Sequence, residues 1–451
     1  MEDIKKHYRH IARIIIETTT PLSIGSGNKT IKTDSAVLKD VNGFPFIPGT
    51  TIAGLIRHAL PNKPEVIMGG QEEGSLLIVT EGKMLDSNGS VLDGIIQQGD
   101  INENTKKFKQ CPIRQHARIG HRGTTEEGGK FDEEIALKGT RFCFELELIS
   151  DNNDDVILKK ILNIIRSSSF RIGSGSRSGF GSIKVVSCKH KTINLQNEKD
   201  REWYLEKSSS LAQDWEGNNY DVTPLYDSNW TSYSLELQSS DFILFGSGLG
   251  NENADMTFVR ESYIDWPEGK ACVKEREKNI LVPASSVKGA ISHRVAFYYN
   301  KLVEIYADKL STDEFAKHVG DNNLAVSTLF GTEGRNGKQK QRGCVLMSDV
   351  IQEMTSSSPK VLNHVAIDRF TGGAIDGALF DEETLYAKKG KTITLNFLVN
   401  NKAIEDKDIK KAFEYTLNDI CLGMLPLGGG VNRGNGCFTG KTYKNGELIY
   451  G

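Results

Sequence analysis

Pro21 to Arg57 reads PLSIGSGNKTIKTDSAVLKDVNGFPFIPGTTIAGLIR, and the parsing of this stretch decides the fold. A strand ends in a glycine turn, where Gly25 and Gly27 permit a tight, positive-φ path. A polar loop carries Asp34. The short strand AVLKD and the turn VNG follow, and Pro48 and Gly49 break the chain before a helix running IAGLIRHAL. Thr50 or Thr51 is placed to cap that helix. The free N–H groups of such a helix start suit a phosphate, although any capped helix reads the same way.

The stretch recurs. IGSG at Ile24–Gly27 returns as FGSG at Phe245–Gly248, 221 positions on, and Asp34 returns as Asp255 at the same interval. IPGTTIAG from Ile47 returns as VPASSVKG from Val282, which puts Ser285 and Ser286 at a second helix start. The 14 extra residues fall in YIDWPEGKACVKEREKN, read as a loop where insertions are cheap. HARIGHRGT from His116 matches HVAIDRFTG from His364, and IGSGSRSGFG from Ile172 matches LGGGVNRGNG from Leu427. Four blocks in one order mean duplication.

Around these blocks, β-branched alternation marks strands at His10–Thr20, Ser75–Thr80 and Thr140–Leu148, and helical spacing marks Asp155–Ser167. The second half repeats the succession from Ser232, with a longer first helix and a last helix over Asp408–Met424. Each unit reads strand, helix, strands, helix, strand: an α+β fold with an antiparallel sheet and helices on one face, the ferredoxin-like pattern. The expected domains are residues 1–190, a polar linker over 191–230, and 231–451. Residues 85–110, polar and turn-rich, read as an insertion or protruding hairpin.

With 451 residues, 25% charged and 38% hydrophobic, the chain is an ordinary globular protein of two or three domains. Its apolar runs are too short to span a bilayer, and EDIKKHYRH after Met1 lacks the core of a signal peptide. No membrane partner is expected. Seven scattered cysteines without a CxxC pair point to a reducing, cytoplasmic setting. Cys111, His116 and His121 have loose ligand spacing but no fourth ligand, so no zinc site is expected.

The net charge of −3 does not favour nucleic acid, but its distribution does. Lys5, Lys6, Arg9 and Arg13 crowd the N-terminus; Arg114, Arg118 and Arg122 share one basic loop; Arg335, Lys338, Lys340 and Arg342 share another. A charge run is usually a solvated face, yet beside glycine turns it allows phosphates a close approach. GSGSRSGFG is no nucleotide fingerprint, because it lies between a helix and a strand in the wrong order. It is bare backbone with Arg171 and Arg177, lining a groove or making a turn.

IGSG with its loop aspartate, FIPGTTIAGLIR, the LFG…RG…SD block, HVAIDRFTGGAIDGALF and the terminal glycine loop together resemble the RAMP superfamily of CRISPR–Cas proteins. More narrowly they resemble backbone subunits of type III effector complexes, in a fused tandem form as in type III-D-like systems. The resemblance covers both halves. It implies two RRM-derived, ferredoxin-like units, each with an inserted thumb-like hairpin and a glycine-rich loop. Such subunits stack beside other type III effector subunits along a CRISPR guide RNA and display the complementary target RNA. By position, Asp34 and Asp255 are the implied catalytic aspartates, with a divalent metal such as Mg²⁺ for RNA cleavage. The second site departs from the pattern: Ala284 replaces the glycine of IPG, and Ser292 stands where Arg57 stands.

The expected RNA contacts in the first unit are Gly25, Gly27, Pro48, Thr50, Thr51, Arg57, Arg118, Arg122, Gly173, Gly175, Arg177 and Gly179. In the second unit they are Ser285, Ser286, Lys288, Arg294, Arg369, Gly428, Gly430 and Arg433. They should touch phosphate and sugar, since any guide sequence must be accepted. The bland alternatives are solvated turns for Arg177 and Arg433, and pairing with Asp368 for Arg369. The runner-up function is a purely structural guide-binding subunit with silent aspartates. A stand-alone guide-processing RNase fits less well, because such enzymes lean on histidine and the sequence shows none recurring near both aspartate loops.

Overall fold

The β-branched run around Ile14 forms β1 (Tyr8–Thr18), the centre of an antiparallel sheet. The computed structural model describes residues 6–31, 33–60, 65–120, 123–332, 340–354, 358–386 and 391–451. Lys5, His121, Arg122, Arg335 and Lys338 lie outside the described residues. The first unit continues with α1 (Gly49–Ala59), β2 (Leu77–Val79), β3 (Ile113–Ile119), β4 (Thr125–Glu134), β5 (Arg141–Ser150), α2 (Val156–Ile165), β6 (Ile183–Asn194) and α3 (Glu198–Glu206). Its sheet runs β2–β5–β1–β6 with every neighbour antiparallel, the split βαβ order of the ferredoxin-like fold. Leu158, Ile161, Leu162 and Ile165 of α2 are spaced to form one buried stripe, which packs with Ala12, Ile14, Ile16 and Phe144 of the sheet.

The second unit repeats this order. It comprises β7 (Trp230–Ser239), β8 (Tyr263–Asp265), β9 (Cys272–Lys274), α4 (Ala284–Leu302), β10 (Val345–Met347), β11 (Ser358–Ile367), β12 (Ala374–Tyr386), β13 (Ile393–Asn400), α5 (Lys407–Cys421) and β14 (Phe438–Lys444). The sheet runs β10–β13–β7–β14. Register agrees as well: Leu235 faces Leu395 and Thr442 as Ile14 faces Phe144 and Cys188. The hairpins β3–β4 and β11–β12 are inserted at the same point of each unit, between its second and third sheet strands. They are the two thumbs.

Several expectations need correcting. Residues 85–110 do not protrude: Leu85, Leu92, Ile101 and Phe108 are buried, and the hairpin that extends is β3–β4. The segment expected as a linker is packed onto the first sheet. Trp215 donates to Glu145, Tyr204 to Glu147, and Arg13 to the Gln213 carbonyl. That cover buries both faces of β1, from His10 to Ile14 without a break and with His10 and Arg13 included. AVLKD makes only isolated bridges at Val37 and Lys39. Neither N-cap residue supplies a side-chain cap; Pro48 and Pro283 hold the capping positions in extended conformation, with Thr50, Thr51, Ser285 and Ser286 already inside the first turns.

The 14-residue excess in the second unit is not a free loop either. β8 and β9 form a hairpin whose Ile264 and Ala271 are buried in the first unit's core. Ile264 N–H donates to the Lys138 carbonyl at 2.8 Å, Trp266 Nε1 to the Gly139 carbonyl at 2.7 Å, and Arg141 stacks 3.9 Å from the Trp266 ring. The insertion straps one unit to the other. Ile264→Ala should lower stability by about 2–5 kcal/mol, read from the urea midpoint, because it empties a fully enclosed site. An unchanged midpoint would mean that the strap is only draped on the surface.

A second inter-unit contact is ionic. Arg114 on β3 is buried and bonds Glu261 through Nε at 2.6 Å and Nη2 at 2.7 Å, and Asp349 through Nη1. Asp349 also accepts the first N–H of α4, from Ala284 at 2.8 Å. The second helix start is therefore partly occupied by a carboxylate, which weakens its expected attraction for phosphate.

Candidate functional site

Each aspartate loop is clamped to the base of its own thumb. Asp34 Oδ2 accepts the Asp132 N–H at 3.3 Å, and Asp255 Oδ2 accepts the Asp381 N–H at 3.0 Å. Ser35 bridges Glu133 in parallel, as Met256–Thr257 pairs with Glu382–Glu383. One residue further, Lys39 pairs with Glu134 and Arg260 with Glu383, both at 2.8 Å. The thumb partners are the tetrapeptide FDEE in both units, Phe131–Glu134 and Phe380–Glu383. The recurrence of FDEE is the sequence signal that marks the two thumb bases, in addition to the four blocks already matched.

Both aspartates are exposed, Asp34 with 49% of its side chain accessible. The Asp132 N–H, and then Lys29 at 3.3 Å, hold the Asp34 carboxyl below the usual carboxylate range. Asp132 Oδ1 and Asp381 Oδ1 are buried without a hydrogen-bond partner beside the two loops. A histidine does recur near both loops, contrary to expectation. His116 stacks on Phe131 at 4.7 Å and His364 on Phe380 at 4.9 Å. They reach the loops from the thumbs, distant in sequence, and their ring faces are used in packing; His116 also meets Glu133 at 3.0 Å.

The glycine loops pack against the roots of the aspartate loops. Ser174 N–H donates to the Ser23 carbonyl and Gly181 N–H to Pro21; Gly429 and Gly436 N–H donate to Leu244 and Phe242. A Cβ at Gly173 or Gly428 would collide with the Ser23 or Leu244 carbonyl, so both glycines serve close backbone packing.

The description "RAMP superfamily" matches residues 15–184 and 272–439, well over half of the sequence and once per unit. The chain belongs to the RAMP superfamily. It is 28% identical over 251 residues to the CRISPR system Cms endoribonuclease Csm3 of Methanocaldococcus jannaschii, an alignment that covers 49% of this chain and 100% of that protein. About half of this chain thus spans the whole relative, and the RAMP description matches this chain twice, in keeping with a tandem backbone subunit of the type III kind. Among solved structures it is similar to a chain of the type III-B Cmr-beta complex bound to cognate target RNA, 17% identical, covering 43% of this chain and 63% of that one, with a TM-score of 0.30. A chain of type III-B Cmr-beta in the apo state is 15% identical, covering 39% and 97%, with a TM-score of 0.30.

The remaining expected contacts of the RAMP units divide by their protein partners. Arg57 is exposed and donates to the Gly69 carbonyl at 3.0 Å. Arg118 spans Glu126 and Asp321 at 2.9 and 2.8 Å. Arg177 and Arg171 face the other unit, bonding the Gly343 carbonyl and Ser348, and burial lowers both guanidinium pKa values to about 10. Gly179 is packed against Asp349 and Ala284. Arg294 bonds Asp419 on α5, and Arg433 bonds the buried Glu382 at the second thumb base. Asp368 accepts the Phe370 and Thr371 N–H groups, closing the thumb tip, while Arg369 is exposed there. Gly25, Gly27, Gly175, Gly430, Pro48, Thr50 and Thr51 stay in their loops and first turn, and Lys288 lies in the second turn of α4. Among the described residues, no helix is long and apolar enough to cross a membrane.

Proposed function

We propose that this chain is a cytoplasmic backbone subunit of a type III CRISPR ribonucleoprotein, which binds guide RNA and cuts complementary target RNA at Asp34 and Asp255. The observation that carries the reading is the twofold clamp of an exposed loop aspartate onto a thumb-base N–H. The description of Csm3 as an endoribonuclease supports it. The exposed parts of the loops and thumbs would hold phosphate and sugar, leaving guide sequence unread.

Cleavage uses the nucleophile that RNA carries. The 2′-oxygen attacks the adjacent phosphorus, the 5′-oxygen leaves, and the products end in a 2′,3′-cyclic phosphate and a 5′-hydroxyl. Asp34 or Asp255 would accept the 2′-hydroxyl proton while the clamp fixes the carboxylate. A divalent ion fits the donor set, since Mg²⁺ needs only one or two carboxylates and an orphaned carboxylate oxygen lies beside each loop. Asp34 with Asp132, and Asp255 with Asp381, would hold it, and it would supply positive charge against the phosphate. The Asp132 N–H, and then Lys29, favour the ionised form of Asp34, and the exposed Lys29 ammonium would also face a phosphate bound there.

The depressed Asp34 pKa carries a sign. Its carboxylate stays ionised as pH falls below the ordinary range, so the acid limb of Asp34-dependent cutting should lie lower than for an unassisted carboxylate. Lys29→Ala should move that limb upward in the pH–rate profile; no movement would separate Lys29 from the site. The assignment as a whole is tested by purifying the native assembly and sequencing its RNA. Repeat-derived small RNA is expected, and its absence would count against the reading.

A further inference from the structure

We propose that Arg433 is a positioning residue for the second cut, acting through the buried Glu382 on the backbone N–H that clamps Asp255. This deepens the cutting reading and rests on it. Glu382 is 0% exposed and follows Asp381, whose N–H holds Asp255 at 3.0 Å. It also pairs with Met256, the residue after Asp255. Its carboxylate takes two donors from the glycine loop: Arg433 through Nη2, and Asn435 through Nδ2 at 2.6 Å. Phe380 lies on the same strand face as Glu382, and the Arg433 guanidinium stands 5.5 Å from its ring. Arg433 therefore holds both neighbours of Asp381. One residue further, Glu383 accepts from Arg260 at 2.8 Å and from Asn251 of the aspartate loop at 3.0 Å. Glycine loop, thumb base and aspartate loop close around one amide.

The glycine loop is shaped for this contact. Gly430 and Gly434 are left-handed, at φ of 66° and 95°, and the Arg433 N–H donates to the Gly430 carbonyl at 2.8 Å. A Cβ at Gly430 would stand 2.5 Å from Asn435 Nδ2 and 3.2 Å from Arg433 Nη2, so a side chain there would push both donors off Glu382. The first unit keeps the glycine and changes what it seats. A Cβ at Gly175 would stand 2.5 Å from the Phe180 ring, and Phe180 holds the place of Asn435. Ser178 stands where Arg433 stands. Phe180 packs under Arg114 at 4.8 Å, and Glu133, the counterpart of Glu382, meets His116 from its own thumb. The first cut is thus set up without a cation from its glycine loop, and Arg433 distinguishes the two sites.

Without Arg433, Glu382 would keep one neutral donor, Asn435, for a buried charge. The carboxylate must then move toward water or take up a proton, and both loosen the strand that carries the Asp381 N–H. Misplacing a reacting group by about 1 Å costs on the order of 10²-fold in rate. The effect should therefore fall on the rate of the Asp255-dependent cut and not on target affinity. A guanidinium engaged with an RNA phosphate would do the reverse.

The test uses the native assembly and a labelled RNA complementary to its guide, with Asp255→Asn marking which cut belongs to Asp255. At saturating target, Arg433→Met should slow that cut roughly tenfold or more and spare the Asp34-dependent cut. The half-saturating target concentration should not change. Adding Glu382→Gln should restore most of the rate, because Asn435 can still donate to the amide oxygen and no buried charge is left. Both cuts falling together would mean a general loss of structure and would overturn the proposal. So would a raised half-saturating concentration that Glu382→Gln does not restore, the signature of a phosphate contact, or an unchanged rate. A second arm reads hydrogen exchange in the purified chain and needs no cutting. Exchange over Phe380–Glu383 should quicken roughly tenfold in Arg433→Met and return in the double variant. Unchanged exchange would overturn the proposal. If the wild-type assembly makes no Asp255-dependent cut, the cutting reading of that loop falls, and the exchange arm alone decides whether Arg433 holds the clamp.

Discussion

Arg114→Leu should destabilise the protein by about 3–5 kcal/mol, the usual consequence of removing one partner from a buried charge cluster. Arg114 is 7% exposed, Glu261 3% and Asp349 6%. Burial alone would lower the guanidinium pKa, but Glu261 and Asp349 outweigh it and raise it above its ordinary value, so the arginine stays charged. Without it, two carboxylates face each other in a water-poor junction, and only Asp349 keeps a donor, the Ala284 N–H. Urea unfolding should show the loss as a shifted midpoint. Arg114→Leu combined with Glu261→Leu and Asp349→Asn should recover most of it, because the Asn oxygen can still accept from Ala284 and no charge remains buried. If the triple variant is as unstable as the single, packing and not charge explains the effect.

Asp34→Asn with Asp255→Asn should slow target cleavage by about 10²- to 10⁴-fold, the range expected when a positioned proton acceptor is lost. Guide binding should be unchanged, because both carboxylates are exposed and their loops are held by other bonds: Ser26 N–H to the Ala36 carbonyl, and Ser247 N–H to the Thr257 carbonyl. Chelation of divalent ions should reproduce the loss. Cleavage surviving the double substitution would leave the silent-aspartate subunit as the better account. Loss of guide binding along with cleavage would show that the loops had collapsed.

Much of the scaffold could be read from local pattern. The glycine turns, the alternation around Ile14 and Leu235, and the helical stripes of α2 and α5 are dictated within a few residues, and the recurrence of IGSG with its aspartate fixed their order. What escaped depends on distant partners. Arg114 and Arg118 look alike in CPIRQHARIGHR, yet one is enclosed between two carboxylates of the other unit and the other bridges two half-buried acids, one from each unit. Nothing local distinguishes a cation destined for an ion pair from one destined for phosphate. YIDWPEGKACVKEREKN has the polarity of a loop, and only its docking into the first core shows why Ile264 and Ala271 are apolar. At the candidate site the aspartates were legible because they lie beside glycine motifs. Their clamps were not, because Asp132 and Asp381 contribute a backbone N–H, which no side-chain pattern encodes. FDEE, written identically in both thumbs, was the missed clue.

The most direct measurement maps the ends produced by the native assembly on a labelled RNA complementary to its guide. Two aspartate loops fixed in one repeated frame predict two cuts at one constant interval, one absent in Asp34→Asn and the other absent in Asp255→Asn. A single substitution that removes both cuts, or a spacing that varies from one target to the next, would contradict the picture of two equivalent units presenting their loops to one strand.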